Sequence, residues 1–226
     1  MLWCHPFPGS GFSAAPRLIS HRHLLALLFP KHHSGSKSEA LTEVTMPRIE
    51  PLTPPYTPDV SEALHRWMPP GVAHEPLALF RLLQRHPELA SRMRVLGAGL
   101  LAHGELPALD RELVIARVCA LCNCPYEWTV HATVFAEQVG LTPEMLQATV
   151  SGTADWPAHH QALLNAVDEL HATAQVSDSA WDALADHYNT SQLLEILVLT
   201  GWYQTISYLA NAVRLDNEPW ATQYPR

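Results

Sequence analysis

The chain has 226 residues, of which 47% are hydrophobic and 16% are charged, and its formal net charge at pH 7 is −8. This length and apolar content are sufficient for one domain with a buried core, or at most two domains. The negative charge, with no surface rich in Lys and Arg after the N-terminal segment, argues against a nucleic-acid partner.

Residues 1–45 differ in composition from the rest of the chain. They contain four Lys and Arg residues but no acidic residue before Glu39. The longest apolar run here, Leu24–Phe29, is far too short to span a bilayer. We interpret the segment as a disordered leader or an extension upstream of a natural start at Met46. An organelle-targeting peptide and a folded role are the alternatives.

Residues 46–75 are predicted to form a Pro-rich arm, because the sequence PLTPPYTPD at 51–59 cannot be helical throughout. Such an arm either lies across a neighbouring subunit or forms a solvent-exposed linker. Residues 76–215 are predicted to form the helical domain, and residues 216–226 a tail.

From Ser61 onward the apolar residues recur at helical spacing, and no alternating strand pattern of useful length is present. Glycines after apolar runs predict where helices end, and capping residues followed by proline predict where they begin. The predicted fold class is therefore all-α, a compact multi-helix bundle. The predicted helices are 61–67, 76–85, 87–103, 109–122, 125–139, 143–150, 157–173, 178–188 and 191–213. The last is apolar enough to suggest a membrane span, but Glu195, Gln204 and Asn211 interrupt it and favour a buried core helix.

Cys119, Cys122 and Cys124 are crowded into six residues, whereas Cys4 lies far away in the leader. This distribution is unlike a secreted disulfide framework and favours a reducing compartment, which we take to be the cytoplasm unless residues 1–45 direct the chain to an organelle. The three thiols and His131 also offer four zinc ligands. Because the first two lie within one helix, we expect no metal site at these residues. No cofactor is expected either.

The segment Arg111–His131 combines acids, thiols and an imidazole. Pro125 ends one helix and is suited to the first position of the next, which makes Cys124 the N-cap and places Glu127 at the spacing of a capping box. The helix N-terminus should favour the thiolate of Cys124. His131 lies on the same face, and Glu112 could reach it across an antiparallel helix pair.

Each of these residues also fits a purely structural role. Glu127 could serve only as the capping-box carboxylate, and its charge would oppose ionisation of Cys124. His131 could be a hydrogen-bonded core histidine. Cys119 fits a small apolar residue inside a helix. The aromatic residues Tyr126, Trp128 and Trp202 are candidates for lining a substrate pocket, with packing as the alternative.

The stretch from Arg111 to Leu146, which reads RELVIARVCALCNCPYEWTVHATVFAEQVGLTPEML, resembles the carboxymuconolactone decarboxylase-like superfamily, which includes the alkylhydroperoxidase D proteins. The resemblance extends over residues 75–215 and implies their all-α fold. In the hydroperoxidase branch the motif is a glutamate, a CxxC pair and a histidine four residues later. These positions correspond here to Glu112, Cys124, Glu127 and His131, so a carboxylate replaces the second cysteine.

The resemblance implies a thiol-dependent reduction of hydroperoxides through Cys124, with Glu112 and His131 relaying protons and either Cys122 or an external thiol resolving the sulfenic acid. Cys122 can do so only if the chain turns sharply at Asn123. The first alternative is a cofactor-free acid–base decarboxylase or isomerase of a small carboxylated lactone, which would use His131, Glu112 and Glu127. The second is a non-catalytic family member. A small-molecule substrate and a homo-oligomer are expected, without nucleic-acid or membrane partners.

Overall fold

The computed structural model describes residues 46–68 and 74–225, so the predictions for residues 1–45 lie outside the described part. Within it the chain is helical and contains no strand. The helices are α1 (Pro58–His65), α2 (Ala78–Leu83), α3 (Pro87–Ala102), α4 (Ala108–Leu121), α5 (Pro125–Val134), α6 (Ala136–Val139), α7 (Pro143–Ser151), α8 (Ala158–Thr173), α9 (Asp178–Ala185) and α10 (Thr190–Val213). The all-α prediction is confirmed.

The helix α4 is the centre of the bundle. It packs against α5, α7, α8 and α10, and a helix surrounded on all sides needs apolar residues around its whole circumference. Its Leu113, Val114, Ile115 and Val118 are completely buried. The buried side chains of α8 and α10, such as Leu163 and Ile196, complete this core.

The turn between α4 and α5 is sharp and well defined. Asn123 adopts a left-handed conformation with φ +48°. The Cys124 N–H donates to Cys119 O at 2.8 Å and the Asn123 N–H donates to Ala120 O at 3.0 Å, which is the Schellman pattern of helix termination. Asn is one of the few non-glycine residues that tolerate this conformation. Pro125 then starts α5, as the sequence predicts.

Several helix boundaries differ from the sequence prediction; for example, α2 covers Ala78–Leu83 rather than 76–85, and α9 ends at Ala185 rather than at residue 188. The first helix begins at Pro58 rather than Ser61, because proline is favoured at the first helical position. The predicted helix 125–139 is divided at Phe135 into α5 and α6. Close to this division, Thr133 Oγ1 donates to Thr129 O and accepts the N–H of Thr222 from the C-terminal segment.

The segments on either side of the helices pack on the same chain. In the proline-rich arm, Arg48 N–H donates to Val213 O at 2.7 Å, and Arg81 Nη1 donates to Leu52 O at 2.9 Å. Near the C-terminus, the buried carboxylate of Glu218 accepts hydrogen bonds from Ala78 N–H and Tyr126 Oη, both at 2.6 Å. These contacts hold the arm against α2 and α10, and the C-terminal segment against α2 and α5.

The apolar helix α10 is part of this core. No helix in the described part of the chain combines the length and hydropathy needed to cross a membrane.

Candidate active site

Helices α4 and α5 bring Glu112 and His131 into direct contact. Oε2 of Glu112 accepts from His131 Nδ1 at 2.6 Å, and both side chains are buried. The two residues are 19 positions apart, and the antiparallel packing across the Asn123 turn closes that separation. The predicted pairing of Glu112 with the His131 face is therefore observed.

Three further groups surround this pair. Arg111 Nε donates to the second oxygen of Glu112 at 3.1 Å. On the other side of the imidazole, His131 Nε2 lies 3.1 Å from Tyr203 Oη of α10 and 3.4 Å from Glu127 Oε1. The imidazole is thus held between two carboxylates, and Tyr203 reaches it from a third helix.

These charges determine the protonation of the pair. Burial alone would lower the pKa of His131, but the Glu112 and Glu127 carboxylates raise it to about 9, so the ring is an imidazolium at neutral pH. Burial would also raise the pKa of Glu112, but His131 and Arg111 bring it below the ordinary value. The site therefore stores one imidazolium proton in a buried position.

Glu127 does not form the predicted capping box. The Cys124 side chain makes no capping hydrogen bond, and the Cys124 N–H is already bonded to Cys119 O. The Glu127 carboxylate turns toward His131 instead, and its buried Oε2 has no hydrogen-bond partner among the residues that the structure describes. A buried carboxylate oxygen without a partner is energetically costly and leaves a hydrogen-bond acceptor unused.

The expectation that Cys124 is a thiolate is wrong for the resting site. Cys124 is the N-cap of α5 but is fully buried. Burial raises the pKa of its thiol to about 11. The Glu127 backbone N–H opposes this increase, whereas the Glu127 carboxylate adds to it. Desolvation therefore outweighs the helix dipole, and a base is required to ionise the thiol.

Cys122 and Cys124 are the residues directly before and after Asn123 in the sequence. The left-handed conformation of Asn123 makes the sharp turn that Cys122 requires if it is to act as the resolving thiol. Cys122 is half-buried, and its Sγ lies 3.8 Å from His171 Nδ1. Burial raises its pKa as well, while the hydroxyl of Ser207 opposes the rise for both thiols. Ser207 Oγ is buried near both sulfur atoms, and among the described residues it has no hydrogen-bond partner of regular geometry. The two thiols thus share one polar neighbour.

The three aromatic candidates have structural contacts of their own. Tyr126 Oη donates to Glu218, and Trp128 Nε1 donates to Thr149 Oγ1 at 3.1 Å. The Trp202 indole lies against α3, where a Cβ added to Gly97 would come within 3.1 Å of the ring. These contacts describe aromatic packing around the site, and a role for the three residues in binding substrate stays a prediction.

The two arginines that flank the motif are also engaged. Arg111 binds Glu112, and Arg117 forms a bidentate pair with Asp168 at 2.7 and 2.8 Å as well as a hydrogen bond to Thr149 O. Arg117 is thus held through all three of its guanidinium nitrogens, whereas Arg111 is paired through Nε.

Sequence reasoning did not identify Tyr203, Ser207 or Glu218. The first two are polar residues spaced i, i+4 on the otherwise apolar face of α10, which is a usable signal that this face lies against polar groups. Glu218 lies in the segment regarded only as a tail, and nothing in its local sequence marks its buried position.

The part of the chain that contains these site residues is similar to a known protein family. The Carboxymuconolactone decarboxylase family matches residues 87–170. No curated protein matches the chain.

Several solved structures share its fold. A peroxidase-related protein of uncharacterized function from Silicibacter sp. has a TM-score of 0.67 at 16% identity, with 79% of this chain and 96% of the other covered. The alkylhydroperoxidase AhpD core of a peroxidase-related protein from Ralstonia eutropha has a TM-score of 0.56 at 18% identity, with 62% and 77% covered. The debrominase Bmp8, in complex with 2,3,4-tribromopyrrole, has a TM-score of 0.63 at 15% identity, with 76% and 91% covered. At these identities the likeness concerns the fold.

Proposed function

We propose, from the premise that residues 87–170 belong to the carboxymuconolactone decarboxylase-like superfamily, that this chain reduces hydroperoxides through Cys124, with Glu127 as the base that ionises the thiol. The observation that carries the proposal is the buried, unpartnered Oε2 of Glu127. Its carboxylate is close enough to affect the pKa of Cys124 on one side and contacts His131 on the other.

The closed character of the site favours a small substrate. Glu112, Cys124, Glu127, His131 and Tyr203 are all between 0 and 6% exposed. A peroxide is small and uncharged, so it needs neither a large cavity nor a cationic group to bind it. A carboxylated lactone would need both, and the two nearby guanidinium groups are already paired.

The proposed reaction begins with transfer of the Cys124 thiol proton to Glu127 Oε2. The sulfur then attacks the terminal oxygen of the hydroperoxide, so that an S–O bond forms and the O–O bond breaks. The departing alkoxide takes a proton from the His131 imidazolium and leaves as an alcohol. Glu127 returns its proton to His131 Nε2, 3.4 Å away, while Glu112 keeps the ring oriented.

The sulfenic acid is then resolved. The Cys122 thiol attacks the Cys124 sulfur, an S–S bond replaces the S–O bond, and the hydroxyl leaves as water with the Cys122 proton. An external dithiol reduces the disulfide and is itself oxidised. The left-handed turn at Asn123 supports this pairing, because it reverses the chain between the two cysteines. The peroxidase-related neighbours support the same reaction class.

Intact-mass spectrometry of the reduced protein after brief exposure to an alkyl hydroperoxide tests the proposal, with a sulfenic-acid trap present. We expect trapped sulfenic acid on Cys124 or a Cys122–Cys124 disulfide, and loss of both in Cys124→Ser. Cys119→Ala is the matched control, because Cys119 is also fully buried and should not be required. Modification of Cys119 and Cys124 at the same rate would contradict the proposal.

Acid–base chemistry is the second candidate function, because the His131 imidazolium between two carboxylates is a stored proton donor. In that reaction Cys124→Ser retains activity on a carboxylated lactone, measured as release of carbon dioxide, whereas His131→Gln does not. A non-catalytic family member would show neither activity.

Self-association is also proposed. Large apolar residues are exposed on α3 and α10, including Val95, Leu194 and Tyr208, which are 67, 59 and 60% exposed. Exposed apolar surface of this kind is typical of subunit interfaces. An association through these helices would cover it.

A further inference from the structure

A second group of titratable residues lies on the other side of α4. Asp110 and Glu112 are two positions apart, so their side chains leave the helix in nearly opposite directions. Glu112 faces α5, whereas Asp110 faces α8, where it meets His160. The proposed peroxidase site does not use Asp110 or His160.

We propose that Asp110, His159 and His160 form a binding site for a divalent transition metal ion, with zinc as the representative ion. One oxygen or nitrogen atom from each of the three residues lies within 4.8 Å of those of the other two. Ligand atoms around a tetrahedral zinc ion are separated by about 3.3 Å, given bonds of about 2.0–2.1 Å. The ring centroid of the half-buried His159 lies 4.0 Å from that of His160.

The bonding of His160 is consistent with the proposal. His160 is 5% exposed, and its Nε2 lies 2.9 Å from Asp110 Oδ1. This distance is close to the separation of two ligand atoms on one zinc ion, so the ion would take the place of the proton between them. Among the described residues, the buried Nδ1 of His160 has no hydrogen-bond partner, so the ring is hydrogen-bonded through Nε2 alone.

The surrounding groups fix the carboxylate and give an ion access. Tyr188 Oη donates to Asp110 Oδ2 at 3.0 Å, which orients the carboxylate. Asp110, His159, His160, His187 and Tyr188 line an open cleft of about 450 Å³. The exposed His187 has its ring centroid 6.1 Å from that of His159, so it is placed to supply a fourth ligand.

The donor set indicates the kind of ion. Imidazole nitrogens with one carboxylate suit Zn²⁺, Ni²⁺, Co²⁺ or Cu²⁺, whereas Mg²⁺ and Ca²⁺ prefer sites made of oxygen ligands. A bound ion would cross-link α4, α8 and, through His187, the segment after α9. None of these ligands belongs to the group of Cys119, Cys122, Cys124 and His131, where no zinc site is expected.

Metal titration of the reduced, chelator-treated full-length protein tests the proposal, with Zn²⁺ followed by calorimetry and Co²⁺ by visible absorption. We expect one site whose affinity falls by about tenfold or more in His159→Gln. Tyr188→Phe should weaken binding by about 10–100-fold, because it releases the carboxylate. The control His103→Gln changes an exposed histidine outside the group and should bind as the unsubstituted protein does.

Two results would overturn the proposal. One is equal stoichiometry and affinity for His159→Gln and the unsubstituted protein, with circular dichroism showing that both are folded. The other is a sulfur-to-cobalt charge-transfer band, which would show that the ion is bound by cysteines instead.

Discussion

Replacing Glu112 by Gln should destabilise the protein in a strongly pH-dependent manner. The substitution keeps the shape of the side chain but removes the charge that faces His131 and Arg111. Losing one partner of a buried ion pair typically costs about 3–5 kcal/mol. The increase in the pKa of His131 from 6.5 to about 9 corresponds to roughly 3 kcal/mol, at about 1.4 kcal/mol for each pH unit. Because Glu127 remains and supplies part of this increase, we expect a loss of about 2–3 kcal/mol near pH 6.

The sign of the pH dependence follows from both partners. The folded-state pKa of His131 is raised. The stability that His131 contributes is therefore complete below pH 6.5 and is lost as the pH rises through the raised pKa. The folded-state pKa of Glu112 is lowered, so its contribution is complete above 4.5 and is lost as the pH falls through the lowered value. The difference between the two proteins should therefore be largest in the mildly acidic to neutral range.

Urea denaturation from about pH 4 to about pH 10 measures this difference as the free energy of unfolding. Glu137→Gln is the matched control, because Glu137 is exposed on α6 and should change the stability by no more than about 0.5 kcal/mol. A difference between Glu112→Gln and the unsubstituted protein that stays constant from neutral to alkaline pH would refute the assignment of the imidazolium. So would a loss no larger than that of the control.

Three further outcomes are expected. An alkylating reagent should modify the half-buried Cys122 before Cys124, as followed by peptide mass spectrometry. The rate of Cys124 alkylation should rise about tenfold for each pH unit up to its pKa of about 11. Fast alkylation of Cys124 at neutral pH would show a stable thiolate instead. Tyr203→Phe should cost about 1–3 kcal/mol in urea denaturation, because the buried hydrogen bond between Tyr203 Oη and His131 Nε2 is lost. An unchanged midpoint would argue against that contact. Val95→Lys places a charge on the exposed apolar face of α3, so it should lower the oligomer mass measured by light scattering. The circular dichroism spectrum should not change. An unchanged mass would show that α3 is not part of the proposed interface.

The local signals in the sequence predicted much of the site. Pro125 predicted the start of α5, and the separation of Glu112 from His131 predicted that the two side chains meet across an antiparallel pair of helices. These predictions succeed because proline geometry and helical periodicity act over a few residues. The Asn123 turn follows the same kind of rule, since Asn tolerates the left-handed region.

The remaining features depend on contacts that no local pattern encodes. A capping-box spacing is available to Glu127, but the buried imidazolium of His131 attracts the carboxylate more strongly than a backbone N–H does. The helix dipole at Cys124 is likewise outweighed by desolvation, which depends on how the whole bundle covers the thiol. Tyr203 reaches His131 from 72 residues away, so only the packing of α10 brings it to the site.

The most direct test of the proposed chemistry is the rate at which an alkyl hydroperoxide oxidises Cys124 in Glu127→Gln compared with Glu137→Gln. General-base catalysis typically contributes about 10²–10⁴-fold, so the first variant should be slower by a factor in that range at neutral pH. The second should match the unsubstituted protein. If Cys124 is oxidised equally fast in Glu127→Gln, Glu127 is not the base for the thiol and the proposed route of the proton is wrong.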